Sequence, residues 1–237
     1  MFDAMTSGNI VLLVILLAAS LSYKAQKLTL VGALTGVLVA VLIYLGSGIA
    51  GIVLLTVYFL LSTWATSHKK QQKKYPDEGH PQIRDAWQVL ANGGIASLCG
   101  LAAYCLPEMS MLFRVLVAAA LSAATADTLS SELGTVYGSR FYNILSWKQD
   151  TKGRDGVISL EGSIIGITGS GLIALTYAFF YGWNTMLLDI ILAGTAGNLA
   201  DSVLGAALER KGHLNNNAVN LLNTLTAVII CCILIIL

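Results

Sequence analysis

Long apolar runs, broken by short polar stretches, set the pattern of this chain. The runs cover residues 8–23, 28–45, 47–66, 84–106, 110–136, 157–182, 184–209 and 216–237. A helix needs about 20 apolar residues to cross a bilayer, and most of the runs are close to that length. The pattern predicts an all-α, polytopic membrane helix bundle of about eight transmembrane helices; the first run is short, so seven also fits. Only "LGSG" at 45–48 separates the second run from the third, which predicts a tight hairpin. A single integral membrane domain is expected over 1–237. Three N-terminal helices and a basic loop occupy 1–83, and a five-helix, motif-bearing part occupies 84–237.

Composition agrees. Charged residues make up 11% of the chain, against about 25% in ordinary soluble domains. The bases are sharply sorted. Lys24 and Lys27 follow the first run; Lys69, Lys70, Lys73, Lys74 and Arg84 follow the third. Arg140, Lys148, Lys152 and Arg154 follow the fifth, and Arg210 and Lys211 the seventh. The exception is Arg114, near the other end of the fifth run, where its long side chain can snorkel. The positive-inside rule makes the odd loops cytoplasmic and puts both termini outside. The expected location is the inner (cytoplasmic) membrane, multi-pass. The run "HKKQQKK" at 68–74 reads as a topogenic cluster touching anionic lipid. A net charge of +1 argues neither way about nucleic acid, and no nucleic-acid partner is expected. The N-terminal segment has an acid and no base before its apolar run, the wrong charge for a secretory signal, and is read as a retained span. Cys99, Cys105, Cys231 and Cys232 lie in apolar runs without metal-site spacing and read as small buried thiols.

Ionisable groups inside such runs are costly and point to function. At about 100° per residue, Asp127, Ser131, Thr135, Thr128 and Glu132 share an arc of roughly 140° on one helix. In "GTAGNLADSVLGAAL", Asn198 and Ser202 lie near Asp201 on the helical wheel. "NNNAVNLLNT" opens the last run with Asn217 and Asn220, and "RDAWQVLANGG" opens the fourth with Arg84, Asp85, Gln88 and Asn92. Four helix ends therefore bring polar side chains to the cytoplasmic face. Carboxylates at helix C-termini suit a divalent cation, and Mg²⁺ commonly uses one or two carboxylates plus substrate phosphates. Asp127, Glu132 and Asp201 are the expected metal ligands. Three such acids have too few buried bases to be mere paired core acids.

The loop "SRFYNILSWKQDTKGRDGVISLEGS" offers Lys148, Lys152 and Arg154 beside Gly153 and Gly156, a candidate phosphate cradle. Ser159 and Ser163 flank Glu161 where the sixth run begins, a helix N-terminus that favours phosphate. "ADTL" at 126–129 and "ADSV" at 200–203 repeat one pattern at nearly equal depth. "GITGSG" at 166–171 lies mid-run and reads as close helix packing.

At "RDAWQVLANGG", "TADTLSSELG", "GRDGVISLEGS" and "GNLADSVLGAALERKGHLNNNAVNLLNT", residues 84–224, the chain resembles the integral-membrane family that includes the plant phytyl-phosphate kinase. The resemblance implies phosphorylation of an isoprenoid monophosphate to the diphosphate by a nucleoside triphosphate with Mg²⁺. A more distant likeness is to the CTP-dependent polyprenol kinases and CDP-diacylglycerol synthases, which favours CTP over ATP. Those families carry a lysine where this chain has Ile158, so phosphate contact is expected from Lys152 or Arg154.

The expected roles follow. Asp127, Glu132 and Asp201 hold Mg²⁺; Lys152 and Arg154 neutralise the transferred group; Asn217 and Asn220 orient phosphate or ribose. Asn92, Thr128, Ser131, Gly153, Gly156, Ser159, Glu161 and Ser202 complete the substrate and nucleotide site. The partners are a lipid-soluble prenyl monophosphate and membrane lipids, and a homo-oligomer is left open. Two rivals stand beside this reading: a cytidylyltransferase forming a CDP-lipid and, from another class, an ion-coupled transporter.

Overall fold

The computed structural model describes residues 2–73 and 83–237, with the side chains of residues 2–7 outside the description. Lys74, counted above in the basic run, lies outside the described residues. Among these residues there are seven α-helices: α1 (Phe2–Lys24), α2 (Leu30–Ser67), α3 (Ala86–Cys105), α4 (Ser110–Tyr137), α5 (Leu160–Tyr181), α6 (Met186–Ala207) and α7 (Asn216–Ile236). All but α1 are long and apolar enough to cross a membrane, and α1 has a shorter apolar stretch, Gly8–Lys24. The protein is an all-α polytopic membrane bundle. A hydrocarbon environment leaves no other way to satisfy so many backbone groups within each segment.

Helix α2 absorbs two of the eight predicted runs, yet it is a hairpin. Its 38 residues would span roughly 57 Å if straight. Instead Lys27 Nζ, just before it, donates to Ser67 Oγ, its last residue, at 3.0 Å. The reversal happens at Gly48, whose φ of 58° and ψ of −147° lie off the helix. Arg114 Nε donates to Gly46 O at 2.9 Å, capping the first limb. Nothing stands within 4 Å of a Cβ added at Gly48, so the cost of a side chain there is conformational. Gly48→Val is expected to destabilise the bundle by about 1–3 kcal/mol and Gly48→Ala by less, because φ of 58° with ψ of −147° lies close to a region essentially confined to glycine. Thermal unfolding in detergent checks the order.

Four helices that start on the face carrying the basic loops have side-chain N-caps. Thr29 accepts from Gly32 N at 3.0 Å, Ser159 from Gly162 N at 3.1 Å and Asn215 from Ala218 N at 2.9 Å. Asp85 and Gln88 form a reciprocal capping box. Side chains thereby satisfy amides that lipid cannot.

The centre is α4, whose Val115–Ala126 stretch is wholly buried and which packs against α2, α3, α5, α6 and α7. Within lipid, apolar burial gives little drive between helices, so small residues that allow close approach do the packing. Gly166 and Gly169, from "GITGSG", lie against Ala126 O, Thr125 and Leu129 of α4. Of the four cysteines, all free, Cys99 and Cys231 are buried, Cys232 is partly buried and Cys105 is exposed.

Candidate functional site

A cavity of about 680 Å³ opens at the end of the bundle that carries the basic loops. Its floor holds Asp127 on α4 and Asp201 on α6. The two carboxyls come within side-chain hydrogen-bonding reach of each other, so the repeated Ala-Asp-hydroxyl pattern meets itself across one helix contact. Both acids stand in the C-terminal halves of their helices, where the macrodipole adds negative charge. Asp201 Oδ2 is buried with no hydrogen-bond partner. Beside the pair, Ser130 Oγ donates to Asn198 Oδ1 at 2.9 Å and pins α4 to α6. Thr128 and Ser131 donate their hydroxyl protons to Ala124 O at 2.9 Å and Thr128 O at 3.2 Å.

Glu132 departs from expectation. Its Oε2 accepts from Lys73 Nζ at 2.8 Å, and the lysine side chain is only 6% exposed. Lys73 also donates to Ala65 O and, at 3.4 Å, to Thr66 O at the end of α2. The statement that the acids lack a buried base therefore fails for Glu132. Within 68–73, His68 Nε2 lies 2.7 Å from Tyr137 Oη and Lys69 sits over the Tyr137 ring, while Lys69 and Lys70 stay exposed and Lys73 turns inward. Among the described residues no group of three His, Cys, Asp or Glu side chains converges on a metal position. Asp127 and Asp201 form the facing pair, while Glu132 is engaged by Lys73.

The opposite wall is the loop between α4 and α5. Two short antiparallel strands, β1 (Tyr142–Asn143) and β2 (Val157–Ile158), close it. Gly156 has φ +68°, and a Cβ there would fall 2.3 Å from Ala206 Cβ and 2.5 Å from Ser202 O. Only glycine lets the loop lie this close to α6. Arg210 fastens it, with Nε donating to Asp155 O at 2.7 Å and Nη1 to Asp150 Oδ2 at 2.8 Å. The hydrogen bond from Arg210, then that from the Thr151 amide, holds the Asp150 carboxyl below the usual carboxylate range. Because the folded value is the lower one, the clasp contributes fully above about pH 4 and is lost as pH falls through the folded value. Protease sensitivity of the 139–158 segment is expected to stay flat from pH 8 to pH 5 and to rise only in stronger acid.

The rim collects three helix N-termini. Arg84, Gln88 and Asn92 come from the start of α3, Ser159, Gly162 and Ser163 from α5, and Asn216 and Asn220 from α7. Their partial positive charge, added to that of Lys70, Lys73, Arg84 and Arg154 around the cavity, favours an anion above the acidic floor.

Of the residues singled out from sequence, Asp127, Glu132, Asp201, Arg154, Asn92, Thr128, Ser131, Gly153, Gly156, Ser159, Ser202 and Asn220 line the cavity. Lys152, Glu161 and Asn217 do not. Lys152 is exposed on the loop. Glu161 Oε1 instead accepts from Ser139 Oγ at 2.6 Å and Ser139 N at 3.2 Å, bracing the loop's first turn. Asn216 lines the cavity in place of Asn217 and accepts from Asn220 Nδ2 at 3.0 Å. Residues that sequence reasoning left out of the site include Lys73, Lys70, Tyr58, Thr66, Phe141 and two acids, Asp155 and Glu209. For Lys73 the one available signal was Glu132 itself, a membrane-embedded acid that needs a base.

Comparison with known proteins follows the same outline. The chain is 32% identical over 222 residues to the uncharacterized membrane protein MJ0933 of Methanocaldococcus jannaschii, covering 92% of this chain and 90% of that protein. It is 31% identical over 186 residues to the chloroplastic protein VTE6 of Arabidopsis thaliana, covering 74% of this chain and 56% of that one. Protein PGR, also of Arabidopsis thaliana, is 29% identical over 222 residues, covering 83% and 77%. No solved structure matches. Residues 13–228 match the family described as integral membrane protein DUF92, and the chain belongs to that family.

Proposed function

We propose that this protein is a kinase that phosphorylates an isoprenoid monophosphate to its diphosphate, at the cytoplasmic face of the inner membrane. The observation that carries the reading is the split character of the cavity. A two-carboxylate floor lies beneath cationic and helix-N-terminal walls, at the end of a lipid-embedded bundle. The kinship with VTE6 and the motif resemblance to the phytyl-phosphate kinase family support it. The donor is a nucleoside triphosphate, CTP ahead of ATP.

The donor set fits Mg²⁺: two hard carboxylates, Asp127 and Asp201, with Asp201 Oδ2 buried and unpartnered. When bound there, Mg²⁺ would neutralise charge on the phosphates. Phosphoryl transfer otherwise needs positioning and charge neutralisation. An oxygen of the acceptor's monophosphate forms a bond to the nucleotide's terminal phosphorus. The bond from that phosphorus to the bridging oxygen breaks, and the nucleoside diphosphate leaves with the electron pair. The acceptor is ionised at neutral pH, so no strong general base is needed. Arg154 and the amides of Gly153 and Gly156 neutralise and cradle the nucleotide phosphates. Asn92 and Asn220 orient phosphate or ribose, and Ser130 with Asn198 keeps the two acid-bearing helices in register.

The test uses detergent-purified full chain with Mg²⁺ and γ-labelled CTP or ATP. Phytyl, geranylgeranyl and farnesyl monophosphates are offered in parallel. Label in a prenyl diphosphate is expected. Label passing only from the α position would make the protein a CDP-lipid synthase, and no transfer from either position would return the transporter reading.

A further inference from the structure

Lys73 is the strongest feature that the roles above leave unused. Its ammonium has three protons to donate. Glu132 Oε2 takes one at 2.8 Å and Ala65 O another. The third points to Thr66 O at 3.4 Å, a long and weak contact. Although the side chain is 6% exposed, it lines the cavity. Lys70, three residues earlier in the same 3₁₀ turn, and Arg84, at the start of α3, line the same side. Lys73, Lys70 and Arg84 therefore bring three cations to this side of the cavity, with Glu132 paired to Lys73.

The two cationic walls differ in origin. Arg154 sits on a loop wholly outside the bundle, open to a water-soluble ligand. Lys73, Lys70 and Arg84 sit where α2 leaves the bilayer-spanning bundle and α3 enters it. An anion held there is best delivered from the membrane side. Asp127 and Asp201 lie on the floor the two walls share.

We propose that Lys73 is the phosphate-binding cation for the lipid acceptor, with Glu132 as the positioning residue that aims its ammonium into the cavity. The assignment rests on the prenyl-phosphate kinase reading for the identity of the lipid, but not for the existence of the phosphate subsite.

The experiment compares wild type, Glu132→Gln and the double variant Lys73→Met/Glu132→Gln, each as full chain in detergent. Lys73→Met alone is avoided because it would leave Glu132 charged and unpaired; the double variant removes both charges at nearly constant volume. Equilibrium binding of farnesyl monophosphate, farnesol and phosphatidic acid is measured in EDTA, and that of CTP with Mg²⁺. Glu132→Gln keeps the ammonium and an amide oxygen that still aims it while removing the competing charge, so farnesyl monophosphate is expected to bind at least as tightly as to wild type. The double variant is expected to bind it about tenfold or more weakly, the loss of one charge-assisted hydrogen bond. Farnesol and CTP affinities should stay within about twofold in all three proteins.

A double variant that elutes and melts like wild type yet keeps wild-type affinity would overturn the assignment. So would equal losses in the single and double variants, because a mere structural latch is broken by both. Lys73-dependent binding of phosphatidic acid without farnesyl monophosphate would keep the phosphate subsite and sink the prenyl reading. No binding of either phospholipid-type probe by wild type would sink the subsite itself.

Discussion

Asp201→Asn is expected to raise the melting temperature in EDTA while lowering phosphoryl transfer by about a thousandfold, roughly 4 kcal/mol of transition-state stabilisation. The two effects have one cause. Asp127 and Asp201 face each other, and Asp201 Oδ2 is buried without a partner. Two carboxyls within hydrogen-bonding reach in a buried floor either repel as anions or must take up a proton, and either costs about 1–3 kcal/mol at neutral pH. An amide at 201 removes that cost and offers Asp127 a donor, so a stability gain of about 1–2 kcal/mol is expected once lost solvation is offset. Added Mg²⁺ should stabilise wild type and leave the variant unmoved, because only wild type keeps both anionic ligands. Thermal unfolding with and without the ion, beside the label-transfer rate, checks all three statements. A fall in melting temperature would make Asp201 a structural acid and remove the floor from the proposed site.

Gly156→Val is the second large effect. A valine Cβ would begin 2.3 Å from Ala206 Cβ and 2.5 Å from both Ala206 N and Ser202 O, on a backbone with φ +68°. Neither neighbour is the far end of a flexible side chain, so the loop must lift from α6. The Arg210 contacts to Asp155 O and Asp150 lift with it. Misplacing a positioning group by about 1 Å can cost a hundredfold, and that is the expected loss in kcat/KM for the nucleotide. The KM for the prenyl monophosphate should hold, since its wall lies on the other side of the cavity. Bundle stability should change little, because the loop lies outside the helices. Faster proteolysis within 139–158 would accompany the kinetic loss. A wild-type nucleotide KM would detach this loop from nucleotide binding.

Much of the fold was legible before any coordinate. Hydrophobic run length is a local property that lipid enforces residue by residue, so the helices emerged close to their observed bounds. The hairpin at "LGSG" was legible for the same reason: Gly48 offers a positive φ where two runs touch. The polar stripe on α4 was legible because side chains three and four apart share a face. Of the residues chosen from it, Asp127, Thr128, Ser131 and Glu132 all line the cavity.

The losses share a different cause. Lys152, Glu161 and Asn217 each stand next in sequence to a residue that does line the cavity, but loop conformation and helix rotation turn each of them elsewhere. A one-residue step along a helix rotates a side chain by about 100°. That is enough to exchange Asn217 for Asn216.

By itself the sequence determined a membrane-spanning helical bundle with polar residues concentrated at the end bearing its basic loops. Membership of helices and faces depends on periodicity and composition, which the chain carries locally. The tertiary structure decided which charges meet. Asp127 finds Asp201 across the α4–α6 contact, and Glu132 finds Lys73, 59 residues away, instead of joining them. Partner choice among buried charges depends on interhelical rotation and distance at the scale of one hydrogen bond, and no local pattern encodes that.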